Sequence, residues 1–272
     1  MKISVIISTY NRPQALKPVL ESYLHQQHVH DQDWEIIIAD DGSSSSTQEL
    51  IKVFQARAPI AIQHIWQEDH GFQLAKIRNK AAAAARGTYL VFTDGDCMVP
   101  PHFVARHLRL AEPNYIVTGS RILLSPKYTE YIEGNSDISL SQKSPLALIY
   151  HRLQGHINRF YTTFYLPYPR RLTVNNRWQG AKGCNLALWR QDLIAINGFD
   201  EAFCGWGFED SDLIIRLFQH GVKRKDGRFA SYVFHLWHQE NARQHQERNW
   251  SYLQARIAQK GPEVRQGIQQ YL

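Results

Sequence analysis

The sequence predicts an α/β protein on a doubly wound, mostly parallel sheet, and three observations carry that prediction. Short β-branched runs alternate with segments of helical periodicity through the first half of the chain. The runs are continuously apolar, as strands covered on both faces are. A polar cluster follows three of them, at the strand ends where ligands collect in such sheets. With 272 residues and a hydrophobic fraction of 43%, the chain can form one such domain with an extension, or two closely fused lobes.

The elements follow in order. Residues 3–7 (ISVII) read as a buried strand that stops at the turn signals Asn11, Arg12 and Pro13. A helix is predicted from about Pro13 to Gln27, with Leu16, Val19, Leu20, Tyr23 and Leu24 on one face. A second strand at 35–39 runs into Asp40-Asp41 and a loop of Gly and Ser. A helix near 46–57 leads to a third strand at 60–66. The next helix contains KAAAAARG at 80–87, and a fourth strand begins at Thr88. The three polar clusters are Thr9-Tyr10-Asn11, Asp40-Asp41 and Asp94-Gly95-Asp96. Residues 1–120 thus form a first half and 121–272 a second, ending in a helical tail.

Beyond residue 124 the pattern weakens. Residues 125–145 read as polar and loop-like, and 146–178 mix aromatics, Arg and Pro without a period. Order returns with GAKGCNLALWR at 180–190. A helix is predicted from about Glu209 to Gln219, a short strand at 231–238 and a helical pattern at 246–259.

Composition narrows the function classes. A formal net charge of +6 is a mild excess, without an extended basic block or an RNA-binding signature, so no nucleic-acid partner is expected. Cys97, Cys184 and Cys204 lack CxxC spacing, which argues against a disulfide framework or a structural zinc site. The opening MKISVIISTYNRP is too short an apolar run for a signal peptide, and no stretch is long enough to span a bilayer. The expected location is the cytoplasm, peripheral at the inner membrane face if the aromatic and Arg-rich segment 157–178 meets lipid carrying the acceptor.

Four strings carry chemistry. TDGDC at 93–97 sets two carboxylates two residues apart at a strand end, suited to Mg²⁺ or Mn²⁺ and the oxygens of a diphosphate. In isolation such a triplet is more often a solvated turn; its place beside DDGS at 40–43 favours the functional reading. Asp41 suits a base such as uracil, whose N3 carries a proton. GWGFEDSDL at 205–213 lets Trp206 face a sugar and crowds Glu209, Asp210 and Asp212 at a helix start. A helix dipole alone explains acids there, but not the Gly-Trp-Gly before them. His235 and His238 in HLWH face opposite sides in a regular strand, and converge only if the strand end bends.

VIISTYNRP, IIIADDGSS, KIRNKA and FTDGDC, in this order, resemble the N-terminal half of family 2 glycosyltransferases. GAKGCNLAL with NGFDEAFCGWGFEDSDL is similar to the C-terminal region of β-1,4-galactosyltransferases and chondroitin-type polymerases. The resemblance implies the nucleotide-sugar (GT-A) fold with a small acceptor-side extension. It implies a metal-dependent, inverting transfer from a UDP-sugar to a glycan or lipid-linked glycan acceptor in surface polysaccharide or lipopolysaccharide synthesis. By it, Ser8, Thr9 and Tyr10 pack on the base, Asp41 contacts uracil, and Arg78 approaches the nucleotide or diphosphate. Asp94 lies near ribose and donor sugar, Gly183 and Asn185 line the donor site, and Trp206 and Glu209 contact sugars. Asp210 is the base, Asp96 and His238 bind Mn²⁺ (or Mg²⁺), and His235 is a second histidine ligand. Two positions depart from the family: Ser211 stands where an acid is usual, and Phe208 where a glycine is.

Two other function classes use such a sheet. A dinucleotide-dependent oxidoreductase needs GxGxxG after the first strand, where this chain has STYNRP. A non-catalytic nucleotide-sugar or glycan binder on the same fold is the alternative to an enzyme.

Overall fold

The computed structural model describes residues 2–166, 177–239, 245–259 and 264–272. In the first half β1 (Ile3–Thr9), α1 (Pro13–Leu24), β2 (Trp34–Asp40), α2 (Ser45–Arg57), β3 (Ala61–Trp66), α3 (Leu74–Ala84) and β4 (Tyr89–Asp94) alternate as expected. Then come β5 (Cys97–Met98), α4 (Phe103–Leu110), β6 (Tyr115–Thr118), β7 (Ser120–Leu123), α5 (Pro126–Asn135) and α6 (Ala147–Leu153). The rest comprises β8 (Leu186–Trp189), α7 (Arg190–Ala195), α8 (Glu209–Gln219), β9 (Lys223–Asp226), β10 (Tyr232–His235) and α9 (Gln246–Ala258).

Seven strands form the main sheet in the order β3-β2-β1-β4-β8-β6-β9. β1 is parallel to β2 and β4, and β2 to β3, whereas β8 runs antiparallel to both β4 and β6. Alternate residues of each central strand feed two cores. Ile3, Val5 and Ile7 pack with Leu16, Val19 and Leu20 of α1 and Phe54 of α2. Ile6, Ile37, Leu90 and Phe92 pack with Ala81 of α3 and Leu213, Ile214 and Leu217 of α8. Each such Val, Leu, Ile or Phe side chain contributes about 2 kcal/mol by leaving water, which is why an unbroken apolar run is stable only with helices on both faces. A second sheet, β5-β10-β7, stands at the carboxyl edge.

Several local readings are corrected. Residues 125–145 are not a loop: α5 starts there because Ser125 Oγ accepts from Tyr128 N (3.4 Å), Pro126 fits the first turn, and Tyr128, Thr129 and Ile132 are buried. α3 spans Leu74–Ala84, so of KAAAAARG the residues Ala85, Arg86 and Gly87 lie beyond its end, while Ala75, Ile77 and Arg78 belong to its buried face. β10 ends at His235, so His238 lies beyond the strand. β9 reads KRKD and gave no hydrophobic signal; Lys225 is buried there because Nζ donates to Leu110 O (2.9 Å) and Glu112 Oε2 (2.6 Å).

Candidate active site

Parallel registry places the ends of β1, β2 and β4 side by side: Thr9 faces Asp40, and Ser8 faces Asp94. Gly95 N donates to Ser8 O (2.7 Å), turning the chain so that Asp96 follows at the same edge. Antiparallel pairing then sets Cys97 opposite His235, and Leu236 N donates to Asp96 O (2.8 Å). The chain bends after β10 and brings His238 back. His235 Nε2 is 3.6 Å from Asp96 Oδ1 and His238 Nε2 is 3.4 Å from Asp96 Oδ2, with the rings 5.2 Å apart.

One carboxylate and two imidazoles, with ligand atoms within 4.8 Å of one another, can hold a divalent metal cation. Burial lowers the His235 pKa against the opposing pull of Asp96, favouring the neutral ring that a metal requires. Arg12 Nη1 also donates to Asp96 Oδ2 (3.1 Å), and its Nη2 to Glu133 Oε1 (2.9 Å).

Beside this cluster stands Arg78, on α3 and buried. Its Nε donates to Ser8 Oγ (3.2 Å), Nη2 to Asp94 Oδ1 (3.0 Å) and Nη1 to Asp210 Oδ1 (2.9 Å), with Glu209 Oε1 at 3.6 Å. One guanidinium thus gathers residues from three distant segments. Burial, and next the charge of Asp210, push the Glu209 carboxyl up; burial does the same to Asp94, with Arg78 opposing.

Gly183 belongs here by close approach. Its N–H donates to Asp210 Oδ2 (2.6 Å), and a Cβ at this position would stand 2.5 Å from Asp210 Oδ1 and 2.7 Å from Arg78 Nη1 and Nη2. Gly183→Ala should therefore displace the Asp210–Arg78 pair. The expected loss in kcat is about a hundredfold. Steady-state kinetics beside a melting curve check it; parent-like kcat would show that the pair's position is immaterial.

Just after β2, Asp41 is buried, accepts from Gln67 Nε2 (2.6 Å) and Gln73 N (2.8 Å), and is pushed up to about 6 by its burial. Thr9 is buried, while Tyr10 is half exposed with its hydroxyl donating to Asp69 Oδ2 (2.8 Å). Ser8, Thr9, Tyr10 and Asp41 thus share one edge.

The backbone around Trp206 runs through left-handed angles. Gly205 and Gly207 have φ of +77° and +108°, and Phe208 holds +75°. Glycine adopts such angles freely; for phenylalanine the cost is about 1–2 kcal/mol, which its ring contact with Trp250 (5.1 Å) helps to offset. Asn249 of α9, which carried no sequence signal, is buried, and its Nδ2 donates to the carbonyls of Cys204 (3.2 Å), Trp206 (3.4 Å) and Gly207 (3.2 Å). Asp212 holds the fold rather than the site: its oxygens accept from Arg216 Nε (2.7 Å) and Arg256 Nε (2.6 Å).

Asn185 is buried, and its side chain lies between Gly119, His107 and Ser231. Its Nδ2 donates to Ser120 O (3.2 Å) and its Oδ1 accepts from Ser231 Oγ (3.2 Å), so the amide is spent on joining the two sheets. Of the segment 157–178, residues 167–176 lie outside the described residues. Tyr161, Phe164, Tyr165 and Leu166 are exposed. No helix among the described residues is long and apolar enough to cross a membrane. A cavity of about 520 Å³ lined by Lys2, Trp34, Glu35 and Arg86 opens at the amino ends of the strands, away from the acids.

Known proteins resemble this chain in sequence and in fold. A family model described as glycosyl transferase family 2 matches residues 4–194, and one described as N-terminal domain of galactosyltransferase matches 170–239. Chondroitin synthase of Escherichia coli is 27% identical over 226 residues, covering 80% of this chain and 32% of that protein. The chain spans only 32% to 52% of the length of the first curated relatives it matches. Mannosyltransferase PcManGT from Pyrobaculum calidifontis, solved with GDP-Man and Mn²⁺, superposes with a TM-score of 0.65 at 16% identity, covering 96% of this chain and 65% of that one. TarS of S. aureus in complex with UDP-GlcNAc gives 0.62 at 12% identity, covering 100% and 69%. These likenesses establish the GT-A fold.

Proposed function

Since this chain belongs to glycosyl transferase family 2, we propose that it is an inverting, metal-dependent enzyme moving a hexose or N-acetylhexosamine from a UDP-sugar to a glycan hydroxyl. The observation that supports it most is the convergence of Asp96, His235 and His238 beside the Arg78-linked pair Asp94 and Asp210. A UDP-sugar fits Asp41 at the base end, and TarS was solved with such a donor. The likeness to chondroitin synthase favours a polysaccharide acceptor, as in surface polysaccharide or lipopolysaccharide assembly. A cytoplasmic site, peripheral to the membrane when the acceptor is lipid-linked, is part of the same proposal.

The chain's own groups divide the work. Asp210, with one oxygen fixed by Arg78 and the other by Gly183 N–H, takes the proton of the acceptor hydroxyl as that oxygen attacks the anomeric carbon. Attack from the face opposite the diphosphate inverts the centre, so an α-linked donor yields a β-linked product. Trp206 and Glu209 contact the sugars, and Asp94 borders ribose and donor. Asp96, His235 and His238 would hold the divalent cation, whose charge stabilises the departing diphosphate.

A donor screen reading released nucleotide, with Mn²⁺ and a glycan acceptor mixture, tests this. UDP release from at least one UDP-hexose or UDP-N-acetylhexosamine is expected, above that from GDP-sugars. Release of GDP alone would replace the donor class, and no release from any donor would leave a non-catalytic binder.

A further inference from the structure

Immediately behind the Asp96 cluster lies a second group of ligating atoms with opposite chemical preference. Cys97, the first residue of β5, and Cys184, in the turn Gly183–Asn185, are both buried free thiols. Their Sγ atoms and a carboxylate oxygen of Asp94 lie within 4.8 Å of one another. Cys97 Sγ also donates to Asp96 Oδ1 at 3.5 Å, so the two groups share the turn 94–97.

We propose that Asp94, Cys97 and Cys184 form a binding site for a thiophilic divalent cation of the Zn²⁺ or Cd²⁺ class. Thiolate sulfur selects such ions over Mg²⁺ and Mn²⁺, whereas Asp96, His235 and His238 offer only oxygen and nitrogen. At a metal–sulfur distance of about 2.3 Å, tetrahedral coordination sets two sulfurs roughly 3.8 Å apart, within the span of this cluster. Charge balance also favours it. Each thiol loses one proton to solvent as its metal–sulfur bond forms, so the cation's two charges replace two protons and the buried region gains no net charge. The fourth position is left for water.

Occupancy has a consequence for the neighbouring site, and this part rests on the transferase reading. Asp94 Oδ1 now accepts from Arg78 Nη2 at 3.0 Å. Ligation draws Asp94 toward the sulfurs and unbalances the guanidinium that also holds Asp210. Thiophilic cations are therefore inhibitors, acting at a place that Mn²⁺ does not contest.

The test uses the full chain carrying Cys204→Ser, which removes the exposed thiol. Titration with Cd²⁺ should give a thiolate charge-transfer absorbance saturating at one ion per chain. Adding Cys184→Ala should abolish the band and weaken affinity by at least about tenfold, as loss of even an outer-shell group does. Absence of the band in the Cys204→Ser chain overturns the proposal, as does its persistence without Cys184 in a protein whose circular dichroism is parental. In the Mn²⁺-saturated donor assay, Zn²⁺ should inhibit the Cys204→Ser chain, more Mn²⁺ should not relieve it, and Cys184→Ala should. A chain that shows the band but releases no nucleotide counts against the transferase reading and not against the metal site.

Discussion

Asp210→Asn should lower kcat by about a thousandfold, within the range that a positioned general base contributes. The substitution keeps the side-chain shape but removes the basic oxygen. It also breaks one hydrogen bond, because Arg78 Nη1 and Gly183 N are both donors and an amide offers only one acceptor oxygen. Arg78 keeps Asp94 and Glu209 as counter-charges, so the chain should still fold and melt cooperatively. Nucleotide and metal binding should stay near parental, since Asp41 and Asp96 are untouched. Turnover within about tenfold of the parent, or roughly 1.4 kcal/mol, would mean that Asp210 is not the base. Glu209→Gln, in the same assay, is the informative companion: Glu209 is the more buried of the two, and it should cost less.

Removal of the divalent cation should be as damaging. Exhaustive chelation should stop turnover and added Mn²⁺ should restore it, while Asp96→Ala should cost about two to three orders of magnitude in kcat that Mn²⁺ does not recover. The reason is geometric. Asp96 is the only group that touches both His235 and His238 in the cluster, so without it the two imidazoles have no shared carboxylate. The same variant frees Arg12, which then retains Glu133. Undiminished turnover after chelation would remove the cation from the mechanism, and full activity in Asp96→Ala would move it elsewhere.

The legible and illegible parts of this chain differ in a physical way. Strands β1, β2 and β4 were readable because each is buried on both faces, which forces a continuous apolar run whatever lies beside it. The acids at their ends were readable for the same reason: polar residues directly after such a run stand at the sheet's carboxyl edge. β9 was not readable, because its buried Lys225 is stabilised by Glu112 and the Leu110 carbonyl, partners more than a hundred residues away. α5 leaves only a weak pattern, although Ser125 and Pro126 are recognised helix-start signals, because its buried face is only Tyr128, Thr129 and Ile132.

The candidate site divides along the same line. Sequence alone determined the doubly wound sheet, the identities of Asp41, Asp94, Asp96, Asp210, His235 and His238 as chemical groups, and the requirement for glycine near Trp206. Only the tertiary structure decided that Arg78 is a buried hub rather than a free cation, that Asn185 braces two sheets, that Asn249 holds the Trp206 turn, and that Cys97 meets Cys184. The reason is range: strand burial and turn chemistry act over a few residues and leave a local pattern. Ion pairs and ligand clusters join positions up to 142 residues apart, as Asp96 and His238 are, which no spacing rule records.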